Sequence, residues 1–309
     1  MTKQIILAET MGFCWGVRRT LDIIERAGDP VERVATIGDV IHNPQVVDRL
    51  RARGIDTAES VDEAGQRGYH RVAITAHGAG PERTRRAEAR GMDVIDTTCP
   101  IVTRVQRLAQ KLVREGYALI IYGDHRHPEA RGIRAWADTS RARVAMSLDD
   151  IDWFTGDSQP RKIAILSQTT KNVDEFIEFA RQAWIAAGER GYEVRICNTI
   201  CEPTARRQSA LRDLIGEIDA LVVVGGKKSS NTTRLAEAGR SYGVPSYHIE
   251  RADEIAPEWL IDIERVGVTA GASTPDEIIL EVIEHLQGQG FEAPAHPFTP
   301  QPLDAVPAY

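Results

Sequence analysis

A chain of 309 residues with 42% hydrophobic content is long enough for one large core or for two to three small ones. Its 38 lysines and arginines against 45 aspartates and glutamates leave a formal net charge of −7, which argues against a nucleic-acid or anionic-membrane partner. No apolar run nears the ~20 residues of a membrane span, MTKQIILAET lacks a signal-peptide profile, and four scattered cysteines form no disulfide framework, so a cytoplasmic protein is expected.

Short apolar runs alternate with longer amphipathic stretches. Strands are predicted over 5–9, 34–37, 71–75, 92–96, 117–122, 162–167, 192–197, 220–225 and 265–270. Helical stretches include 103–116, 174–190 and 204–218. Thr274-Pro275-Asp276-Glu277 reads as an N-cap, a first-turn proline and two acidic residues opening a last helix that runs to about Gln287. The alternation predicts an α/β fold with mostly parallel sheets.

An internal repeat bears on the architecture. Cys14, Cys99 and Cys201 each precede a polar cluster by 28 residues, at His42, His127 and Ser229. A further polar group follows each pair, at His77, Thr169 and Ser273, and an arginine stands five places after each cysteine, at Arg19, Arg104 and Arg206. Three similar lobes are expected, over 13–98, 99–197 and 198–290, followed by a tail at 291–309 that holds five prolines. The tail is expected to be poorly ordered or draped over the surface.

Nearly every unusual polar cluster directly follows a predicted strand, where open parallel sheets bind ligands. The three cysteines stand where a strand gives way to a helix; a helix N-terminus and a following arginine both favour the metal-binding thiolate. Three thiolates with no fourth partner suit an iron–sulfur cluster with one open iron, or zinc with an exchangeable position. Cys197 ends a strand and has no counterpart elsewhere, which favours core packing. His42, His77 and His127 lack the i, i+4 spacing of a metal pair; with nearby serines and Asn231 they suit an anion such as a diphosphate. His125 competes with His127, and the 28-residue register favours the latter. Glu129, in an enclosed H-P-E loop, is a candidate general acid, and Thr169 or Thr170 could relay its proton. GGKKSSN lacks the order of a P-loop, but Ser229, Ser230 and Asn231 offer donors at a helix start, and Ser273 stands at the matching place after the next strand.

These motifs, GFC, IHNP, AHG, DTTCP, HPE, SQTT, the Cys201 segment, SSN and TAGAS, stand in the order of one family. The chain resembles the 4-hydroxy-3-methylbut-2-enyl diphosphate reductases over nearly its whole length, the tail excepted. The resemblance implies three α/β lobes in a trefoil around a central [4Fe–4S] cluster held by Cys14, Cys99 and Cys201, with the N-terminal residues 1–12 counted in the third lobe. It implies that His42, His77, Ser229, Ser230, Asn231 and Ser273 hold the diphosphate, with His127 lining the same pocket. Glu129, with Thr169, would deliver the proton that lets the allylic hydroxyl leave as water. Two electrons would come singly from ferredoxin or flavodoxin, giving isopentenyl and dimethylallyl diphosphate. A zinc protein and a phosphate-binding module with merely buried cysteines are the competing readings.

Overall fold

The computed structural model describes residues 2–28, 33–154 and 160–299. In chain order the first third holds β1 (Gln4–Leu7), α1 (Trp15–Ala27), β2 (Val34–Ile37), α2 (Pro44–Ala52), β3 (Ile55–Ala58), α3 (Val61–Gln66), β4 (Arg71–Ile74), α4 (Pro81–Glu88) and β5 (Asp93–Asp96). The second holds α5 (Pro100–Arg114), β6 (Ala118–Tyr122), α6 (Pro128–Trp136), β7 (Ala142–Ala145), β8 (Lys162–Ser167), α7 (Val173–Gly188) and β9 (Glu193–Ile196). The last holds α8 (Glu202–Ile215), β10 (Ala220–Val224), α9 (Ser230–Ser241), β11 (Ser246–Ile249), β12 (Arg265–Ala270) and α10 (Asp276–Gly288).

The strands form three four-stranded sheets, in the orders β11-β10-β12-β1, β3-β2-β4-β5 and β7-β6-β8-β9, with every neighbour parallel. Each sheet therefore repeats one plan, second-first-third-fourth. The β10 sheet takes its fourth strand from the N-terminus, since β1 pairs with β12. By internal packing the chain divides into two units. Met1–Arg19, Ile41–Arg49 and Glu202–Tyr309 carry the β10 sheet, while Thr20–Val40 and Leu50–Cys201 carry the other two.

The central strands form because their runs are apolar on both faces. ALVVV of β10 is buried throughout: Leu221 and Val223 face a core with Leu211, Leu214 and Leu235, while Val222 and Val224 face another with Ile279, Val282 and Leu286. The β6 sheet is likewise packed on both faces. Edge strands β3, β7 and β11 escape the sequence pattern, because IDTA, ARVA and SYHI bury only their first and last residues. Four-residue strands interrupted by a polar or charged residue leave no apolar run to detect.

The last helix departs from expectation at its start. Pro275 occupies the N-cap position without a side-chain bond, and Thr274 instead donates its hydroxyl to the Val224 carbonyl at 2.8 Å. Thr274 thus ties the loop after β12 to the end of β10 rather than capping α10. Of the tail, Phe291 is buried in the core beside β1, and Phe298 packs against the same cluster. Residues 300–309 lie outside the described residues.

This plan places the chemistry. In all three sheets the first and third strands lie side by side while their connections leave in opposite directions, which opens a crevice at their carboxyl ends. The loops after those strands carry His42 and His77, His127 and Thr169, and Ser229 and Ser273. The cysteines come after the fourth strands: Cys14 after β1, Cys99 after β5, Cys201 after β9. The 28-residue interval thus runs from the last strand of one sheet, through a helix, to the first strand of the next.

Candidate functional site

In the first unit, the loops after β10 and β12 pack so closely that glycine is obligatory. A Cβ on Gly226 would stand 2.1 Å from the His42 carbonyl oxygen, and one on Gly271 would stand 1.9 Å from Thr232 Oγ1. The His42–Asn43 backbone is thereby seated against the glycine pair that leads into α9. Ser229 caps that helix, accepting from Thr232 N–H at 3.3 Å, and the Ser273 hydroxyl donates to Ser229 Oγ at 3.3 Å. Asn231, 4% exposed, has both side-chain amide atoms buried without a hydrogen-bond partner among the described residues. A buried unpaired amide is costly, and a polar ligand would relieve it. Lys227, by contrast, is engaged elsewhere: its ammonium meets Glu254 at 2.5 Å and its N–H donates to Glu250 at 2.7 Å. The donors offered here are neutral hydroxyls and an amide at a helix N-terminus, a set suited to an anion.

In the second unit, the H-P-E segment opens α6. His127 is the cap, its Nδ1 accepting from the Glu129 N–H at 3.2 Å, which assigns the ring proton to Nε2 and leaves that nitrogen as a donor. Its ring meets that of His77 edge to face, with centroids 5.3 Å apart. His125 is exposed and points to Asp124. Glu129 is 1% exposed, and its carboxylate accepts from Thr169 twice, from N–H at 2.6 Å and from the hydroxyl at 3.0 Å. Burial pushes its pKa up to about 7, against the opposing pull of the two Thr169 bonds and the Lys171 ammonium. A carboxyl half-protonated near neutrality is suited to give and retake a proton.

The cysteines are anchored alike. Cys14 N–H donates to the Ala272 carbonyl at 3.1 Å, Cys99 N–H to Ala76 at 3.0 Å and Cys201 N–H to Thr169 at 3.0 Å. In each sheet the turn after the fourth strand is thus tied to the loop after the third, next to Ser273, next to His77, or at Thr169 itself. All four cysteines are free and half-buried. Cys99 caps α5, and Cys14 and Cys201 immediately precede α1 and α8, so the positive helix ends complement negative charge at the thiolates. Each of these three thiols, at a helix start, is of the chemistry that iron–sulfur clusters take as a ligand. Cys197 instead packs against the core between α5 and the β6 sheet. Arg206 pairs with Glu202 of its own helix at 2.5 Å, an exposed contact.

The family model described as LytB protein matches residues 5–287. The chain belongs to the LytB family. A 4-hydroxy-3-methylbut-2-enyl diphosphate reductase of Anaeromyxobacter sp. (strain Fw109-5) is 40% identical over 289 residues, covering 92% of this chain and 97% of that one. The solved structure described as (E)-4-hydroxy-3-methyl-but-2-enyl diphosphate reductase, the terminal enzyme of the non-mevalonate pathway, matches at TM-score 0.65 and 35% identity, over 93% of this chain and all of that one. The E-1-hydroxy-2-methyl-but-2-enyl-4-diphosphate reductase of Plasmodium falciparum, at 23% identity, has the same fold, with TM-score 0.85 over 97% of this chain and 95% of that one.

Several supporting residues of this LytB chain carry little or no local signal in its sequence. Lys171 is 2% exposed and acts on Glu129; it stands two places after Thr169, in the turn between β8 and α7. Gln106 fills the gap left by two glycines, its Nε2 2.5 Å and 3.3 Å from where Cβ atoms on Gly78 and Gly132 would lie. Trp136 donates its indole N–H to the Ala79 carbonyl at 2.8 Å, so α5 and α6 together hold the turn bearing His77. Neither residue carried a local signal, because each acts on a turn remote in sequence.

Proposed function

We propose that this chain reduces (E)-4-hydroxy-3-methylbut-2-enyl diphosphate, with two electrons and two protons, to isopentenyl or dimethylallyl diphosphate and water. The observation that carries the reading is the run Glu129–Thr169–Cys201: a carboxyl with a pKa of about 7 is bonded to a threonine whose carbonyl anchors a cysteine. Family membership over residues 5–287 supports the same reaction.

Cys14, Cys99 and Cys201 would together hold a [4Fe–4S] cluster at the centre of three lobes in a trefoil. When bound, that cluster supplies the electrons, received one at a time from a small carrier such as ferredoxin or flavodoxin. The chain's own residues do the rest. Ser229, Ser230, Asn231 and Ser273 donate to the diphosphate, and His42, His77 and the Nε2–H of His127 add donors to it. Glu129 gives its proton through the Thr169 hydroxyl to the departing allylic oxygen, so that water leaves rather than hydroxide. Burial of the carboxyl keeps this proton available near neutral pH. No helix among the described residues is long and apolar enough to cross a membrane, and a cytoplasmic enzyme fits that.

Anaerobic purification followed by turnover with a chemical one-electron reductant tests the reading. A brown protein with about four irons and matching labile sulfide, converting the allylic diphosphate, is expected. Cys99→Ser should lose the cluster and Cys197→Ser keep it. Colourless, zinc-loaded wild-type protein would overturn the assignment.

A further inference from the structure

The largest fully buried side chain among the described residues is a cation. Arg207 of α8 has no exposed surface, and its guanidinium spans two backbone carbonyls, Nη2 donating to Gly12 and Nη1 to Pro203 at 2.7 Å. Gly12 lies two residues before Cys14, and Pro203 belongs to the first turn of α8 itself, four residues before Arg207 and two after Cys201. The Gly12 turn is held from its other side as well. It is left-handed, with φ +76°, and a Cβ there would lie 3.0 Å from Ile279 Cδ1 and 3.1 Å from Asp276 Oδ1. That aspartate takes both bonds of the Arg18 guanidinium, at 3.0 and 2.7 Å, while Arg18 lies over the Phe13 ring.

A buried guanidinium carries a desolvation cost that excellent hydrogen bonding must offset. Its planar fork can satisfy two carbonyls at a fixed separation, which a single ammonium cannot do. We propose that Arg207 is a positioning residue: from α8, the helix that Cys201 precedes, it fixes the turn leading to Cys14 before any cluster is assembled, and it adds positive charge at that turn. This rests on the reading that Cys14 and Cys201 are iron ligands. The charge raises the reduction potential of a cluster held there, because the reduced form is the more negative one.

The test uses the full chain with Arg207→Met and Arg207→Lys. In the cluster-free protein, exchange of the Cys14 and Arg18 amides, bonded to Ala272 and Cys14 carbonyls respectively, reports the turn directly. Both variants should exchange there on the order of tenfold faster, through loss of one or both charge-assisted bonds. After anaerobic reconstitution, Arg207→Met should release iron to a chelator about tenfold faster and show a lower midpoint potential, with Arg207→Lys closer to wild type in potential than in release. Wild-type exchange at both amides would overturn the clamp, whatever the turnover. Should Arg207→Met fail to fold, the exchange of Arg207→Lys decides alone. If wild-type protein takes up no iron–sulfur cluster, the ligand assignment falls, while the exchange measurement still judges the clamp.

Discussion

Two buried polar corners of this chain are built on opposite terms. Around Glu129 the described polar groups are satisfied: the carboxylate accepts from Thr169 twice, and its own N–H is taken by His127. Around Asn231 the hydrogen bonding is incomplete, with two amide atoms buried and unpartnered beside a serine pair at 3.3 Å. The difference teaches where each corner expects its partner. On the proposed roles, an acid must be set in advance, so the fold completes the Glu129 hydrogen bonds and leaves only its proton to move, whereas an anion site is completed by its anion, and the unpaired Asn231 amide would hold affinity in reserve for it.

The sharpest way to break this contrast is Glu129→Gln. The amide keeps the packing and can still accept from the Thr169 N–H, but it has no proton to give. Turnover should fall about 10²–10⁴-fold with substrate affinity and iron content unchanged. A tenfold rise in KM with turnover intact would make Glu129 a binding residue and erase the distinction. Asn231→Ala tests the other side. It should weaken substrate binding on the order of tenfold to a hundredfold, acting on KM more than on kcat. An unchanged KM would mean that the unpaired amide serves no ligand. Thr169→Val sharpens the first corner: without the relaying hydroxyl turnover should fall, and the pH profile of the turnover that remains reports the carboxyl. Removing the hydroxyl takes away one bond that favours the carboxylate, so the Glu129 pKa should rise above its present value of about 7. The alkaline limb of the pH–rate profile, where the acid form is lost, should move to higher pH; a limb moved downward would contradict the assignment.

Much of this contrast was legible in the sequence because it depends on strand ends. Runs such as ALVVV and KIAILS announce buried parallel strands, and the loops that leave them are confined to the carboxyl edge of a sheet. His127, Glu129, Thr169, Ser229 and Ser273 could therefore be placed by position alone. Edge strands could not, since IDTA and SYHI present no apolar run. The cysteines were legible as a set, but their attachment was not: each is tied by its N–H to the sheet it closes, and the 28-residue count carries the chain on to the next sheet. Arg206 shared a register with Arg19 and Arg104, yet the buried cation is its neighbour Arg207. Which of two adjacent arginines turns inward depends on helix phase, which a count of five residues from cysteine does not fix.

The smallest expected effect concerns stability, and it arises from the sign of the Glu129 perturbation. The pKa is raised from 4.5 to about 7 in the folded chain, mainly by burial. The folded state therefore holds this proton between those values while the unfolded state has released it. Its contribution to stability must fall as pH rises through that window and level off above about 7. A carboxyl moved that far is worth about 3 kcal/mol at the alkaline end. Carboxylates whose pKa is lowered, such as Asp56 beside Tyr69 and Asp152 beside Arg143, work in the opposite direction at lower pH, so the wild-type curve alone does not isolate Glu129. The difference between wild type and Glu129→Gln does. Cluster-free protein unfolded in denaturant at several pH values should show the variant gaining on wild type by up to about 3 kcal/mol between about pH 4.5 and 8. A flat difference would mean that the carboxyl titrates in the folded chain as it does in water, and Glu129 would then be ionised at neutral pH with no proton to deliver.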